Sequence, residues 1–159
     1  MANIALQDAT IAESTANDHI TYSIEEYQGK TPDYCVTWNQ FGQCIDWDSK
    51  PIYKDVNKQT SATVKGKAVS TVTNVTIQGK APIVQGDKTT ENDTYNIPSG
   101  GTYVSGSHNN AQGTVTVGNS RNVFINGKSV AIDGSTVTTH AGTSSKINGG
   151  TSSTVTIGS

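Results

Sequence analysis

The second half of the chain makes one statement twice. Residues 74–86 read NVTIQGKAPIVQG and residues 122–134 read NVFINGKSVAIDG, and the two align without a gap, Asn122 falling 48 positions after Asn74. In each copy a Val and an Ile two positions apart share one face of a strand. Gln-Gly-Lys or Asn-Gly-Lys then turns the chain, and a second strand runs back to a glycine. Asn126-Gly127 is the strongest hairpin signal of the set, because both central residues of a type I′ turn need positive φ. A third, partial copy follows in STVTIGS, where Val155 and Ile157 take the places of Val123 and Ile125. The repeated unit is a β-hairpin, and this repetition restricts the chain to an all-β fold more tightly than any other feature.

The supply of apolar residues agrees. Hydrophobic residues make up 33% of the chain and Leu6 is its only leucine, so the aliphatic content is almost wholly Val and Ile, which suit a pleated strand. Short alternating runs such as SATVKGKAVSTVTNVTI and GTVTVG lie between Gly, Asn and Ser turns, and no stretch offers a helical face. A chain this poor in large apolar side chains buries little surface per residue. Dense backbone pairing, a disulfide, a metal or a partner chain must add to its stability.

Texture changes near residue 60. Residues 1–60 form an aromatic-rich extension carrying Tyr22, Tyr27, Tyr34, Trp38, Phe41, Trp47 and Tyr53, whereas residues 61–159 hold the Thr/Val/Gly-rich repeats. Aromatics clustered in sequence are expected to pack against the repeats and supply the apolar area these lack. Cys35 and Cys44 of YCVTWNQFGQC would face each other across a turn centred on Asn39-Gln40, a geometry that admits a disulfide. A pair of free thiols in a reducing compartment is the other reading. A net charge of −2 and a single arginine, Arg121, give no basic field, which argues against nucleic acid as a partner. The first residues, MANIALQDATIAEST, lack the basic and apolar runs of a signal peptide. No nucleophile elbow, phosphate loop or HExxH is present, and the Gly-rich tracts lie between strands, so no enzyme activity is expected.

The ordered series TNVTIQGKAPIVQGDKTT, SGSH, GTVTVG, NVFINGKSVAIDG, THAG and STVTIGS resembles the PAAR-repeat proteins, the pointed tips of contractile injection systems. The resemblance covers about residues 61–159. It implies a small conical β-structure that sits as a monomer on the blunt end of a trimeric β-helical spike. Such a tip serves contractile phage tails and type VI-like secretion machines, so the expected location is the baseplate spike of a virion or a secreted injection particle, and the tip meets the target cell envelope transiently. The resemblance also implies one Zn or Fe ion near the apex, held by three His and one Cys. His108 of SGSH and His140 of THAG fall in the matching loops. A complete site has to recruit His19, Cys35 or Cys44, and no spacing selects among them; each His alone reads equally well as an exposed loop side chain.

Two readings from other classes stand beside this one. A carbohydrate-binding adhesin of a phage or bacterial surface would use the aromatic segment, and it gains if Trp38 or Trp47 is exposed. A Thr-ladder solenoid binding an ordered surface is suggested by the recurring TVT, but it needs a short constant period that copies 48 positions apart do not provide.

Overall fold

A computed structural model describes residues 2–116, 118 and 123–158. It is all-β, and among the described residues there is no helix. The strands are β1 (Ala2–Ala5), β2 (Ser14–Lys30), β3 (Tyr34–Trp38), β4 (Cys44–Asp48), β5 (Pro51–Val69), β6 (Lys88–Tyr95) and β7 (Gly101–Ser105). The short strands β8 (Thr114–Val115), β9 (Phe124–Ile125), β10 (Lys128–Ser129), β11 (Thr136–Thr138) and β12 (Ser144–Lys146) follow, and β13 (Thr151–Ile157) comes last. One antiparallel sheet runs in the order β12-β11-β8-β6-β5-β2-β7, and β1-β13, β9-β10 and β3-β4 form separate pairs.

The repeats build a three-sided ring. Gln78 and Gly79 have φ of 52° and 76°, and Asn126 and Gly127 have 52° and 77°, so both copies make the positive-φ turn that their sequences demand. The second strands of the two copies meet at Val84 and Val130, while Pro82 pairs with Leu6 and Ile132 with Ile4. Residues 4–6 therefore stand where 82–84 and 130–132 stand in the copies. Backbone hydrogen bonds close the circle: Ala5 N donates to Ala131 O (2.9 Å), Ala131 N to Ile83 O (2.8 Å) and Ile83 N to Ala5 O (2.9 Å). The correspondence continues outward, since Asp8, with φ 69°, occupies the place of Gly86 and Gly134. The third hairpin is thus assembled from the two ends of the described chain, its first strand from β13 and its second from β1, which pair at Ala2 and Ile157. Asn122, the first residue of the second copy, lies outside the described residues.

Apolar side chains fill this ring in two layers. Ala5, Ile83 and Ala131, one from each side, are fully buried in a cluster with Val115, Val137 and Ile147. On the hairpin side Ile4, Leu6, Val72, Val84, Val130 and Ile157 form a second cluster, against which Val75, Ile77, Val123 and Ile125 pack half-buried. Of the valines and isoleucines singled out by the repeat, all but the exposed Val155 thus surround one apolar plug. Neighbouring hairpins are also stitched by side chains: Asn74 and Asn126 exchange amide hydrogen bonds of 3.0 and 2.9 Å, and Gln78 Nε2 donates to Ser153 Oγ (2.8 Å).

Strand β5 runs straight through the change of texture at residue 60. From Ala62 to Val69 it pairs with β6, and before Ala62 with β2 alone. Strand β2 is flanked by β7 only from Thr21 to Ile24. Beyond that the β2-β5 ribbon continues as an arm, which ends in the separate β3-β4 hairpin. At roughly 3.3 Å per residue the stretch from Ser61 back to Pro51 reaches about 33 Å. The aromatics do not pack on the repeats as expected. Tyr22 is buried at the root of the arm, but Tyr27, Trp38, Phe41, Trp47 and Tyr53 are exposed. The ring closes with small and β-branched side chains drawn from its own three sides, and a two-stranded ribbon has no second layer under which large rings could be covered.

Candidate metal centre

The three histidines of the chain, from three distant segments, converge where the arm leaves the sheet. His19 sits in an irregularity of β2: between the pairs Ala16–Ala62 and Ile20–Thr60 the strand gains two residues on its partner, and Asp18 takes a φ of 53°. Such a bulge re-aims a side chain that a regular strand would place by simple alternation. Gly106, at φ 107°, lets the segment after β7 pass over this bulge, since a Cβ there would collide with the His19 carbonyl. His108 follows in the same segment, held by Asp93 N donating to His108 O (3.0 Å). His140 lies in the tight THAG turn after β11, where Gly142 N donates to Thr139 O (2.9 Å).

Asp93 of β6 is the hub. Its carboxylate is fully buried, and its Oδ2 lies 3.1 Å from His19 Nε2 and 3.4 Å from His108 Nδ1, with Oδ1 3.2 Å from His140 Nε2. One ligand atom from each of the four residues falls within 4.8 Å of every other. His140 is nearly buried and His19 mostly so, while His108 is half exposed and leaves the group open to solvent on its side. Burial pushes the Asp93 carboxyl up. The His108 main-chain N–H, the nearby His140 and the contacts to His19 and His140 outweigh it, so the pKa falls below its ordinary 3.8.

Glu91, two residues back on the same face of β6, fixes His140. Its buried Oε2 accepts from His140 N (2.8 Å) and lies 2.7 Å from His140 Nδ1, while Thr89 Oγ1 donates to Oε1. A carboxylate only accepts, so Nδ1 carries a proton, and Nε2 is the ring atom turned to Asp93, 3.3 Å from its Oδ2. Asp93 Oδ1 is buried, and although His140 Nε2 is close, the atom receives no hydrogen bond of proper geometry from the described residues. A cation bound between Nε2 and the Asp93 carboxylate would give both a partner. Four ligands held about 2.05 Å from a zinc-like ion stand about 3.3 Å apart, close to the three nitrogen–oxygen separations of this group. His19, Asp93, His108 and His140 can hold a metal ion, with Glu91 as the outer carboxylate that orients one imidazole.

The structure brings His108 and His140 together, as their loops suggested, and recruits His19 as the third imidazole. It excludes the cysteines: Cys35 and Cys44 form a disulfide in the distal hairpin, with Cα atoms 5.8 Å apart. They are not directly opposite each other. Cys35 faces Trp47 and Cys44 faces Trp38, with bulges on either side of Thr37 that shift the register. Asp93 and Glu91 escaped the sequence reading. Their signal was the alternation Thr89, Glu91, Asp93 in KTTENDTY, three polar residues sharing one face of a strand, here the inward one.

No known protein family, curated protein or solved structure matches this chain.

Proposed function

We propose that this protein is a PAAR-like spike tip, a mechanical cap seated as a monomer on a trimeric β-helical spike of a contractile injection machine. The observation that carries the reading is the three-sided ring. A single chain that docks on a threefold partner must offer three similar edges, and 4–6, 82–84 and 130–132 are related in that way. Around the apolar plug the two full hairpins each contribute a Val and an Ile from the repeat and the third contributes Ile157, while Phe124 and Val155 are exposed. These supply an apolar footing for another β-structure. The residues of the metal centre lie towards the other end of β6, which runs from Lys88 beside the ring to Asp93 and Tyr95. A Zn or Fe ion held there would cross-link four segments of the chain, β2, β6, the stretch after β7 and the turn after β11. On this reading the protein works without catalysis, in a virion or secreted particle, and meets the target envelope during contraction.

The test is cross-linking mass spectrometry on native particles. Lys80 and Lys128, which follow the two hairpin turns, should link to a trimeric spike at about one copy of this chain per three of the partner. Recovery as a free protein, or at many copies along a fibre, overturns the reading. One observation favours the adhesin alternative: Trp38 and Trp47 are 62% and 60% exposed.

A further inference from the structure

The end of the arm exposes a cluster of large apolar side chains, and its chemistry is separate from the metal centre and from any docking on a spike. Residues 35–45 contain no charged side chain, yet Trp38, Ile45 and, at 76%, Phe41 are exposed. Asp33, Asp46 and Asp48 follow at once behind this neutral tip, and Lys30 and Lys50 come next, Lys50 Nζ lying over the Tyr34 ring at 5.8 Å from its centroid.

Both strands of the hairpin and its turn expose apolar side chains: Val36 and Trp38 on β3, Phe41 in the turn, Ile45 and Trp47 on β4. Trp47 opposite Cys35 and Trp38 opposite Cys44 place the two indoles on the face of the disulfide, since directly paired residues share a face. Ile45 is the residue by which β4 bulges between Cys44 and Asp46, and it too is exposed. A sugar stacks on one aromatic platform, whereas a hairpin whose exposed apolar groups run from both strands through the turn suits immersion in an apolar medium. The turn is adapted to that as well. Asn39 Oδ1 accepts from Phe41 N and Gln43 N, both at 2.9 Å, Asn39 N donates to Gln43 O (2.9 Å) and Gly42 N to Asn39 O (3.1 Å). Four backbone N–H groups at the very tip are thereby satisfied without water, which removes much of the penalty of taking a turn out of solvent.

Depth is limited by the strands themselves. The β3-β4 pair stands alone, so its outer edges need polar partners and cannot enter hydrocarbon. Tryptophans, open edges and a ring of aspartates all find partners at the headgroup level. We infer that the β3-β4 hairpin inserts its tip into the interface of a bilayer of zwitterionic phospholipid, whose ammonium groups meet Asp33, Asp46 and Asp48. The three aspartates stand nearer the tip in sequence than Lys30 and Lys50, so the first charges a bilayer meets disfavour anionic lipid.

Trp38 and Trp47 are the only tryptophans in the chain, so the intrinsic fluorescence of the intact protein reports on this hairpin alone. With phosphatidylcholine vesicles the emission should shift to the blue, be quenched by brominated chains, and accompany flotation of the protein. Phosphatidylglycerol vesicles should bind less. Phe41→Asp should weaken binding to phosphatidylcholine by about tenfold or more, the fold-change carried by one buried Phe, while leaving the metal content and far-UV spectrum of the body unchanged. Unshifted emission with phosphatidylcholine overturns the inference, as does tighter binding to phosphatidylglycerol. Response to purified cell-wall polysaccharide but not to vesicles would assign the hairpin to a glycan instead. Blue emission present without lipid and lost on dilution would assign it to a second copy of the chain.

Discussion

Glu91→Gln separates a metal centre from a merely polar cluster. The glutamine carbonyl can still accept from His140 N and from Nδ1–H, and its amide can donate to Thr89 Oγ1, so the shape of the site survives. What disappears is the charge that makes both His140 contacts charge-assisted. Each falls from about 1.5–3 to about 0.5–1.5 kcal/mol. In proteins that hold metals through histidine, removing such an outer partner lowers metal affinity by about 10–100-fold. Competition titration of the apo-protein with a chelator, using Zn(II) and Co(II), should therefore give an unchanged stoichiometry of one and an affinity reduced by that factor. The Co(II) visible spectrum should keep its intensity, because the four ligands are untouched. An affinity equal to that of the wild type would refute the role of Glu91, and failure of the wild type to bind either ion would refute the centre itself.

Three further outcomes follow from the packing. Ile83→Ala, at a fully buried side of the ring, should cost about 2–5 kcal/mol in urea unfolding. Cys35→Ser should loosen the hairpin, whose staple is worth about 2–3 kcal/mol for so short a loop; protease cuts should appear between residues 31 and 50 while the melting of the body stays put. The Asp93 carboxyl has a folded pKa below its ordinary value, so its share of stability is present above pH 3.8 and is lost as pH falls through the lowered value. Asp93→Asn should flatten that part of the acid-unfolding curve of metal-free protein, and an unchanged curve would contradict the assignment.

The sequence made the all-β class and the hairpin repeat legible because both are local. Alternation, β-branched residues and Asn-Gly turns act within a dozen positions, and the positive φ of Asn126 and Gly127 bears them out. The ring was legible only in two of its three sides. The third is split between β1 and β13, and residues 4–6 share little with APIV or SVAI beyond their small and aliphatic character. Likewise His108 and His140 stand in recognisable loops, whereas His19 depends on a bulge whose register is set by β5, and Asp93 on which face of β6 turns inward. The exposed aromatics ran against expectation for a related reason. Clustering in sequence cannot tell a packed layer from a projecting ribbon when the partner strand lies across a 20-residue hairpin.

The split third hairpin has a consequence for how the molecule comes into being. Strand β1 emerges from the ribosome long before its partner β13, and the contacts of Ala5 with Ile83 and Ala131 also reach far along the chain. Local hairpins can form during synthesis, yet the circle stays open until the last strand arrives, and contacts this distant in sequence form slowly. A nascent chain therefore lacks a finished threefold face. Assembly onto any partner that reads all three sides must wait for β13, so chains broken off before it are rejected by geometry without a separate checkpoint.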